Sequence, residues 1–242
     1  MIESAIVPTH NGCGWTSTIP NQVTVALLDW LSHLPEASPL VLDIGAGLGV
    51  GTLPLLEAGA RVIALDIEDS HLSAIRHEAE SRSVSHRLIS IAERFPGSLH
   101  FHQLDAIHCS NVLHFLPGAE IEIGAAKMFE WLKPGGKVFL QVGTIFAGHI
   151  RRLLPFFEEQ RRNGVKWAGE TERARDFVAA EVRDATPHFM NYLDAPVLLE
   201  TYHSVGFHIE RQWYYTRTGL PEMFRSDGRE HFGIIAVKMQ RS

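Results

Sequence analysis

Cysteine is scarce in this chain of 242 residues, which contains only Cys13 and Cys109. Two cysteines cannot build the disulfide framework of a small secreted domain, and they cannot supply a four-cysteine zinc site. The chain has 14 histidines, but no pair spaced four apart on a predicted helix stands beside a third ligand. We therefore predict a reducing compartment and no metal site.

Long apolar runs and clustered positive charge are also missing. No segment approaches the roughly 18 consecutive apolar residues of a membrane span, and residues 1–4 lack the pattern of a secretory signal. The net charge is −6 and the 22 basic residues are scattered, which disfavours a nucleic-acid partner. The densest basic group is best explained as the solvated face of a helix: Arg151, Arg152, Arg161, Arg162 and Lys166. These absences predict a cytoplasmic protein without a membrane partner.

The most informative segment is an apolar strand pattern at 40–44 that runs into a turn with glycines at 45, 47 and 49. A second apolar run ends in Asp66, 23 residues beyond Asp43. Glycine permits left-handed backbone and lets a ligand lie against the main chain. An acid at the end of the second strand of a βαβ unit commonly binds a ribose diol. These features predict a nucleoside-binding site, although Val50 occupies the position of the third glycine in a dinucleotide fingerprint.

A second strand, helix and strand pattern follows at 104–143, with the helix predicted over 119–132 and a Lys-Pro-Gly-Gly turn at 133–136. Proline cannot continue a helix and glycine caps it, so the turn leads into another buried strand. In this order, the motifs resemble those of class I S-adenosylmethionine-dependent methyltransferases over about residues 38–143, and more loosely over roughly the last 40. The resemblance implies an α/β fold with a doubly wound, mostly parallel, Rossmann-like seven-stranded sheet that ends in an antiparallel C-terminal hairpin.

The resemblance also implies where S-adenosyl-L-methionine and its product S-adenosyl-L-homocysteine would bind. The main chain near the amino-acid part and the ribose would be that of Gly45, Ala46, Gly47 and Gly49. Asp66 would hold the ribose hydroxyls, and Ile67 would pack on the adenine. Glu93 is the expected partner of the adenine amino group, with Asp105 as the alternative.

Further polar residues lie at the ends of the predicted strands. Asp43 is expected either to brace the glycine turn or to accept a hydrogen bond from a ligand ammonium. Ser110 and Asn111 lie at the carboxyl edge of the sheet, where ligands of open α/β sheets bind. His114 is a candidate general base because imidazole titrates near neutrality, and the alternative is a buried or helix-start histidine with a structural purpose.

The acceptor pocket is expected to come from the regions that cover the cofactor in this family. These are an N-terminal arm (1–21), a helical, lid-like insertion at about 147–190 and the last hairpin, all within a single domain (1–242). The elements predicted there are helices over 147–162 and 170–183 and two antiparallel strands over 207–215 and 233–239. The candidate pocket residues are Trp15, His149, Trp167, Tyr192, Tyr214 and Tyr215.

The expected function is methyl transfer from S-adenosylmethionine to a small molecule, at oxygen, nitrogen or a stabilised carbon. Residues 110–113 replace the Asn-Pro-Pro-Tyr type of motif that grips planar amides in relatives, which disfavours amino methylation of a base or of glutamine. One alternative is a non-catalytic module that binds the same cofactor. Another is a nicotinamide-dependent oxidoreductase, which Val50 and the turn at 133–136 disfavour.

Overall fold

A central seven-stranded sheet organises the molecule. The computed structural model describes residues 6–10, 15–35 and 38–240, and Cys13 lies outside these ranges. The strands, numbered along the chain, are Ile6–Pro8 (β1), Trp15–Ser17 (β2), Leu40–Ile44 (β3), Arg61–Asp66 (β4), Leu88–Ala92 (β5), Leu104–Ser110 (β6), Leu132–Gly143 (β7), Glu170–Thr171 (β8), Met190–Asn191 (β9), His208–Tyr215 (β10) and His231–Val237 (β11).

The order of the strands in the central sheet is β10-β11-β7-β6-β3-β4-β5. Strands β3 to β7 pair in parallel, whereas β11 is antiparallel to both β7 and β10. The prediction of a mostly parallel seven-stranded sheet with an antiparallel C-terminal hairpin is confirmed. Two short antiparallel pairs, β1 with β2 and β8 with β9, lie outside this sheet.

Helices cover both faces of the sheet, as the continuously apolar strands β3 and β4 require. They are Gln22–Ser32 (α1), Thr52–Glu57 (α2), Asp69–Ser81 (α3), Gly118–Trp131 (α4), Leu154–Arg162 (α5), Ala174–Phe177 (α6) and Ala195–Val205 (α7). Apolar residues of α1, α2 and α3 form the core on one face, and those of α4 and α7 form it on the other. Within the described ranges, no helix combines the length and the apolarity that crossing a membrane requires.

The predicted turn at 133–136 lies inside β7, which begins at Leu132 directly after α4. Gly135 adopts φ +83°, a left-handed value that glycine reaches without a Cβ clash. Its N–H donates to the carbonyl of Lys238 at 2.7 Å, and the Lys238 N–H donates to the carbonyl of Gly136 at 3.0 Å. The chain reverses as predicted, but its backbone is paired with the segment after β11.

The insertion differs from the two helices predicted for it. The first begins as a 3-10 turn over Gly148–Leu153 and continues as α5, with non-helical backbone at Ile150. Pro155 explains the change, because it is placed in the first turn of α5, where its missing N–H costs nothing. Within one continuous helix, the same proline would remove an internal hydrogen bond.

The predicted helix over 170–183 is wrong. This segment contains β8, the four-residue helix α6 and a 3-10 turn over Ala180–Val182. Its start is held in extended form because Thr171 pairs with Met190 on β9. Eleven buried apolar side chains, among them Ile150, Phe157 and Val182, give the region from 145 to 192 a small core of its own.

The side chain of Asn21 connects α1 to the end of β6. Its Oδ1 accepts hydrogen bonds from the N–H groups of Val23 and Thr24 at 2.9 and 3.0 Å, which caps the helix. Its Nδ2 donates to Ser110 Oγ at 2.8 Å. The start of α1 is thereby fixed against the carboxyl edge of the sheet.

Replacing Asn21 with alanine should lower the free energy of unfolding by about 1 kcal/mol, because α1 loses its N-cap acceptor. For a chain of this size, such a loss lowers Tm by roughly 2–4 °C, which calorimetry can measure. Asn21→Asp is the matched control, since a carboxylate keeps the cap and removes only the donor to Ser110. Equal Tm decreases in the two variants would contradict the capping role.

Candidate active site

The carboxyl ends of β3, β4 and β6 meet at one edge of the sheet, and a cavity of about 630 Å³ lies against this edge. Such a volume is typical of small-molecule and cofactor sites. The cavity is lined by nine of the ten residues predicted to bind the cofactor: Asp43, Gly45, Ala46, Gly47, Asp66, Ile67, Glu93, Ser110 and Asn111. The structure therefore brings these residues together, as the sequence predicted.

The glycine turn after β3 has left-handed backbone at Gly45 (φ +68°), Gly47 (+53°) and Gly49 (+82°). A Cβ on Gly45 would come within 2.2 Å of the Val112 side chain. Gly49 does not line the cavity, because it faces the packed side chains of α2 and α3 instead. Gly49 therefore packs beneath the turn, and its predicted contact with the cofactor has no support from the cavity lining.

Asp66 ends β4 and is 8% exposed. Its Oδ2 accepts from the N–H of Gly47 at 2.8 Å, and its Oδ1 accepts from the N–H of Glu68 at 2.9 Å. The Nδ1 of His71 lies 3.2 Å from Oδ1. A carboxylate has about four lone-pair sites, so this fixed group still has capacity for a ligand hydroxyl. Neighbouring Ile67 is 68% exposed and gives the cavity rim an apolar surface.

Asp43 is engaged inside the protein and is only 2% exposed. Its Oδ2 accepts from Thr52 Oγ1 at 2.6 Å, and its Oδ1 lies 2.7 Å from His108 Nδ1. The other ring nitrogen of His108 lies 3.0 Å from Thr24 Oγ1. A Cβ on Gly51 would come within 2.9 Å of the His108 ring. Of the two roles expected for Asp43, these contacts support bracing of the turn.

Sequence reasoning missed His108 as the partner of Asp43. The two residues are register partners on the adjacent strands β3 and β6. The sequence gives no signal for this pairing, because aligning the strand ends Ile44 and Ser110 would place Cys109, and not His108, beside Asp43.

The end of β6 is fixed by side chains from neighbouring strands. Asn111 has φ +59°, donates its N–H to the carbonyl of Gln141 at 3.0 Å and accepts from Gln141 Nε2 at 2.9 Å. The hydroxyl of Tyr215 donates to Gln141 Oε1. Together with the bond from Asn21 to Ser110, these contacts hold the edge in one conformation before any ligand arrives.

Glu93 and Asp105 lie at different ends of the sheet. Glu93 follows β5, lines the cavity, and donates its N–H to the carbonyl of Asp66 at 3.0 Å. Asp105 lies near the start of β6, where it accepts from the N–H of Leu40 at 2.8 Å and pairs with Lys133. The alternative that Asp105 binds the adenine is therefore wrong, because its carboxylate is buried at the amino end of the strand and does not line the cavity.

Three cavity histidines come from different elements: His114 from the turn after β6, His149 from the insertion and His231 from β11. Burial lowers the pKa of each of the three imidazoles to about 4, and they influence one another electrostatically. They are neutral at pH 7, so each can accept a proton. In the part of the chain that is described, no three His, Cys, Asp or Glu residues form a group suited to a metal ion.

The six candidate pocket residues divide into two sets. Trp15, His149 and Tyr192 line the cavity. The other three lie elsewhere: Trp167 packs on Gly118 and donates to Glu122, Tyr214 packs on Phe232 and donates to Asp194, and Tyr215 donates to Gln141. They were expected in the pocket because of their segments, but each ring is used in packing behind the cavity wall.

Several lining residues were not anticipated, above all Arg217, Leu220 and Phe224 in the loop between β10 and β11. The only sequence signal there is a turn-rich segment without a helix. The loop reaches the cavity by folding back against the insertion, and the ring of Phe224 lies 4.6 Å from that of His149.

Comparisons with known proteins are consistent with this geometry. A family model described as a methyltransferase domain matches residues 42–138. A ubiquinone biosynthesis O-methyltransferase of Pseudomonas aeruginosa (strain UCBPP-PA14) is 28% identical over 189 residues, covering 68% of this chain and 78% of that protein. The protein of the same name from Pseudomonas fluorescens (strain SBW25) is 31% identical over 144 residues, covering 53% of this chain and 59% of that protein.

Solved structures share the fold. An S-adenosylmethionine-dependent methyltransferase from Methanosarcina mazei has a TM-score of 0.64 at 22% identity, covering 87% of this chain and 96% of that one. Magnesium protoporphyrin IX methyltransferase from Synechocystis PCC 6803, with bound SAH, has a TM-score of 0.58 at 17% identity. The match covers 90% of this chain and 82% of that one. The chain contains a methyltransferase domain and is an S-adenosylmethionine-dependent methyltransferase. Its fold is that of the class I enzymes.

The binding edge of this methyltransferase suits its cofactor, S-adenosylmethionine. The bare backbone of Gly45 and Gly47 lets a ligand lie against the main chain. Asp66 offers a fixed acceptor for hydroxyls, and Ile67 offers an exposed apolar surface for a flat ring. The methyltransferase family also leaves the nicotinamide alternative without support.

Asp66→Asn should weaken the binding of S-adenosylhomocysteine to the methyltransferase by about tenfold or more, as measured by titration calorimetry. Hydrogen bonds to charged groups contribute about 1.5–3 kcal/mol, and 1.4 kcal/mol is a factor of ten. Asp69→Asn is the matched control, because the Asp69 carboxylate is exposed and pairs with Arg76. An unchanged Kd for Asp66→Asn would remove this residue from the cofactor site.

The methyltransferase should lose stability as the pH falls from 6.5 to about 4. The pKa of His114, His149 and His231 is lowered from 6.5 to about 4 by burial, so the unfolded chain binds more protons in this window and is favoured by acid. Tm should decrease across the window and not respond to these groups above it. His149→Gln should make the decrease shallower, whereas His77→Gln, at an exposed position on α3, should not. Identical slopes in all three proteins would contradict the burial effect.

Proposed function

We propose that this methyltransferase acts on a small molecule held in the cavity between the glycine turn and the insertion. The observation that carries the proposal is the shape of that cavity. One wall is the strand edge, and the opposite wall comes from the insertion: Val182, Ala185, Thr186, Pro187, Phe189 and Met190. A volume of about 630 Å³ suits a cofactor together with a small acceptor.

Within the cavity, we assign the cofactor to the edge formed by the glycine turn and Asp66. The main chain of Gly45, Ala46 and Gly47 is the proposed surface for the amino-acid part and the ribose. Asp66 is proposed to hold the ribose hydroxyls. Glu93 and Ile67 flank Asp66 at the rim, which supports their assignment to the adenine. Ser110 and Asn111, fixed by Asn21 and Gln141, are proposed to line the sulfur side.

Bound S-adenosylmethionine supplies an electrophilic methyl group, so the protein has to orient the acceptor, exclude water and accept a proton. His114 follows the end of β6 by four residues and lines the same cavity as Asp66. Burial lowers its pKa to about 4, so the imidazole is neutral at pH 7 and its lone pair can accept a proton, but the same shift makes it a weaker base than a solvated histidine. Its place in the cavity and its neutral state support a role for His114 as the general base toward an acceptor hydroxyl.

The names of the relatives favour oxygen as the methylated atom. Two of them, from Pseudomonas aeruginosa and Pseudomonas fluorescens, are named O-methyltransferases. For this chain we propose oxygen as the methylated atom, and we carry over nothing about the substrates of those relatives. An acceptor hydroxyl also fits a neutral imidazole, because a hydroxyl must lose its proton when its oxygen is methylated.

The direct experiment incubates the purified protein with methyl-labelled S-adenosylmethionine and a metabolite extract freed of macromolecules. Label should enter small molecules, and an extract of protein and nucleic acid should remain unlabelled. Label found only in macromolecules would overturn the proposal. Binding of S-adenosylhomocysteine without turnover on any extract would favour the non-catalytic alternative.

With an acceptor identified in this way, His114→Gln should lower kcat by about 100-fold or more, the typical contribution of general-base catalysis. The affinity for S-adenosylhomocysteine should stay unchanged. In the wild type, kcat/KM should be insensitive to this group between pH 6 and 8 and fall only as the pH approaches the His114 pKa of about 4. His77→Gln should behave as wild type. A His114→Gln variant with normal kcat would leave the imidazole with a structural role.

A further inference from the structure

The cavity contains a buried cation for which the described residues supply no ion-pair partner. Arg217 lines the cavity from the loop after β10 and is 9% exposed. Its Nε is buried without a hydrogen-bond partner. Burial lowers the pKa of its guanidinium, which shows the cost of keeping the charge there. Across residues 6–10, 15–35 and 38–240, no carboxylate forms an ion pair with it.

Two buried acids, Glu230 of the same loop and Asp194 at the start of α7, are used elsewhere. Glu230 accepts hydrogen bonds from Thr216 Oγ1 at 2.6 Å and from the N–H groups of Ser226 and Gly228. Its carboxylate therefore connects the two ends of the loop between β10 and β11. Asp194 caps α7 through the N–H of Ala195 at 2.8 Å and faces Arg161 at 3.9 Å. Neither carboxylate neutralises Arg217.

Two imidazoles of the same cavity each have one ring nitrogen that no described residue pairs. His149 and His231 line the same cavity, and the Nδ1 atom of each is buried without a hydrogen bond. Arg217 is close enough to His231 to lower its pKa electrostatically. Buried polar groups in native proteins are nearly always paired. Water can satisfy the ring nitrogens, but it cannot compensate a buried positive charge.

The chemistry of this end of the cavity favours a monoanion. A guanidinium presents parallel N–H groups that match the two oxygens of a carboxylate. The adjacent histidines are neutral at pH 7, so a single positive charge is available and a dianionic phosphate would be only half compensated. The surrounding wall is apolar and aromatic: Phe189, Met190, Tyr192, Leu220 and Phe224.

We propose that the methyl acceptor is a small aromatic or apolar carboxylic acid, and that Arg217 binds its carboxylate. The inference rests on the proposed small-molecule function and deepens it. The carboxylate serves as an anchor and is not the methylated group, because Arg217 engages its oxygens. Of the two arginines that line the cavity, Arg94 pairs with Glu120, so Arg217 is the cation that remains for an anion.

The first test needs no variant. Wild-type protein saturated with S-adenosylhomocysteine is titrated with 4-hydroxybenzoate and with its neutral isostere 4-hydroxybenzamide. Because a buried hydrogen-bonded charge pair is worth more than a neutral contact, the acid should bind at least about tenfold tighter than the amide. Equal affinities, a preference for the amide, or no binding of the acid at millimolar concentration would overturn the proposal.

The second test asks whether Arg217 carries that preference. In Arg217→Gln, the ratio of the two affinities should fall to about one, while the Kd of S-adenosylhomocysteine stays at the wild-type value and shows that the fold is intact. Arg229→Gln is the matched control in the same loop, because its exposed guanidinium pairs with Asp227. If Arg217→Gln still bound the acid more tightly than the amide, Arg217 would not be the residue that binds the carboxylate.

The two proposals fail differently in these experiments. Loss of S-adenosylhomocysteine binding by the wild type would contradict the cofactor site itself. Normal binding of this nucleoside together with label transfer to small molecules that carry no carboxylate would contradict only the role of Arg217.

Discussion

A buried network of hydrogen bonds at the centre of the sheet holds the binding edge together. Asp43 on β3 and His108 on β6 are register partners whose side chains meet at 2.7 Å. Thr52 connects this pair to α2, and Thr24 connects it to α1. A buried carboxylate that loses its partners is strongly destabilising, and a shift of one residue would turn Asp43 to the other face of the sheet. The network therefore favours the one register that places the glycine turn beside the end of β6.

The charges around the cavity are separated along its length. Carboxylates of Asp66 and Glu93 line the part of the cavity that we assign to the cationic cofactor, and the guanidinium of Arg217 comes from the loop between β10 and β11. In a site with low dielectric, such a separation orients a ligand pair of opposite charge more strongly than the same groups would in water. Orientation is the main demand that methyl transfer makes on a protein, because the cofactor already carries the activated group.

The parts that the sequence predicted correctly are those specified by neighbours along the chain. The glycine turn, Asp66 and the strands beside them follow from short apolar runs and from turn residues whose backbone preferences are local, whereas the seven-stranded sheet was implied by the family resemblance. The segment 170–183 was assigned wrongly because its charge pattern suits a helix, whereas pairing with β9 holds its start extended. Arg217 was missed and Trp167 was wrongly placed in the pocket for a related reason. Their surroundings are set by how the insertion and the last loop fold against each other, and no local pattern encodes that contact.

The neutrality of the cavity histidines survives the arrival of an anion. For His231, burial is the largest cause of the lowered pKa, and the positive charge of Arg217 is a smaller one. A carboxylate bound to Arg217 would offset the smaller cause and leave the larger one in place. Burial is likewise the first cause for His114, ahead of the influence of His149 and His231. The base that we propose therefore stays unprotonated while the acceptor is anchored, so substrate binding and proton acceptance do not compete for the same charge.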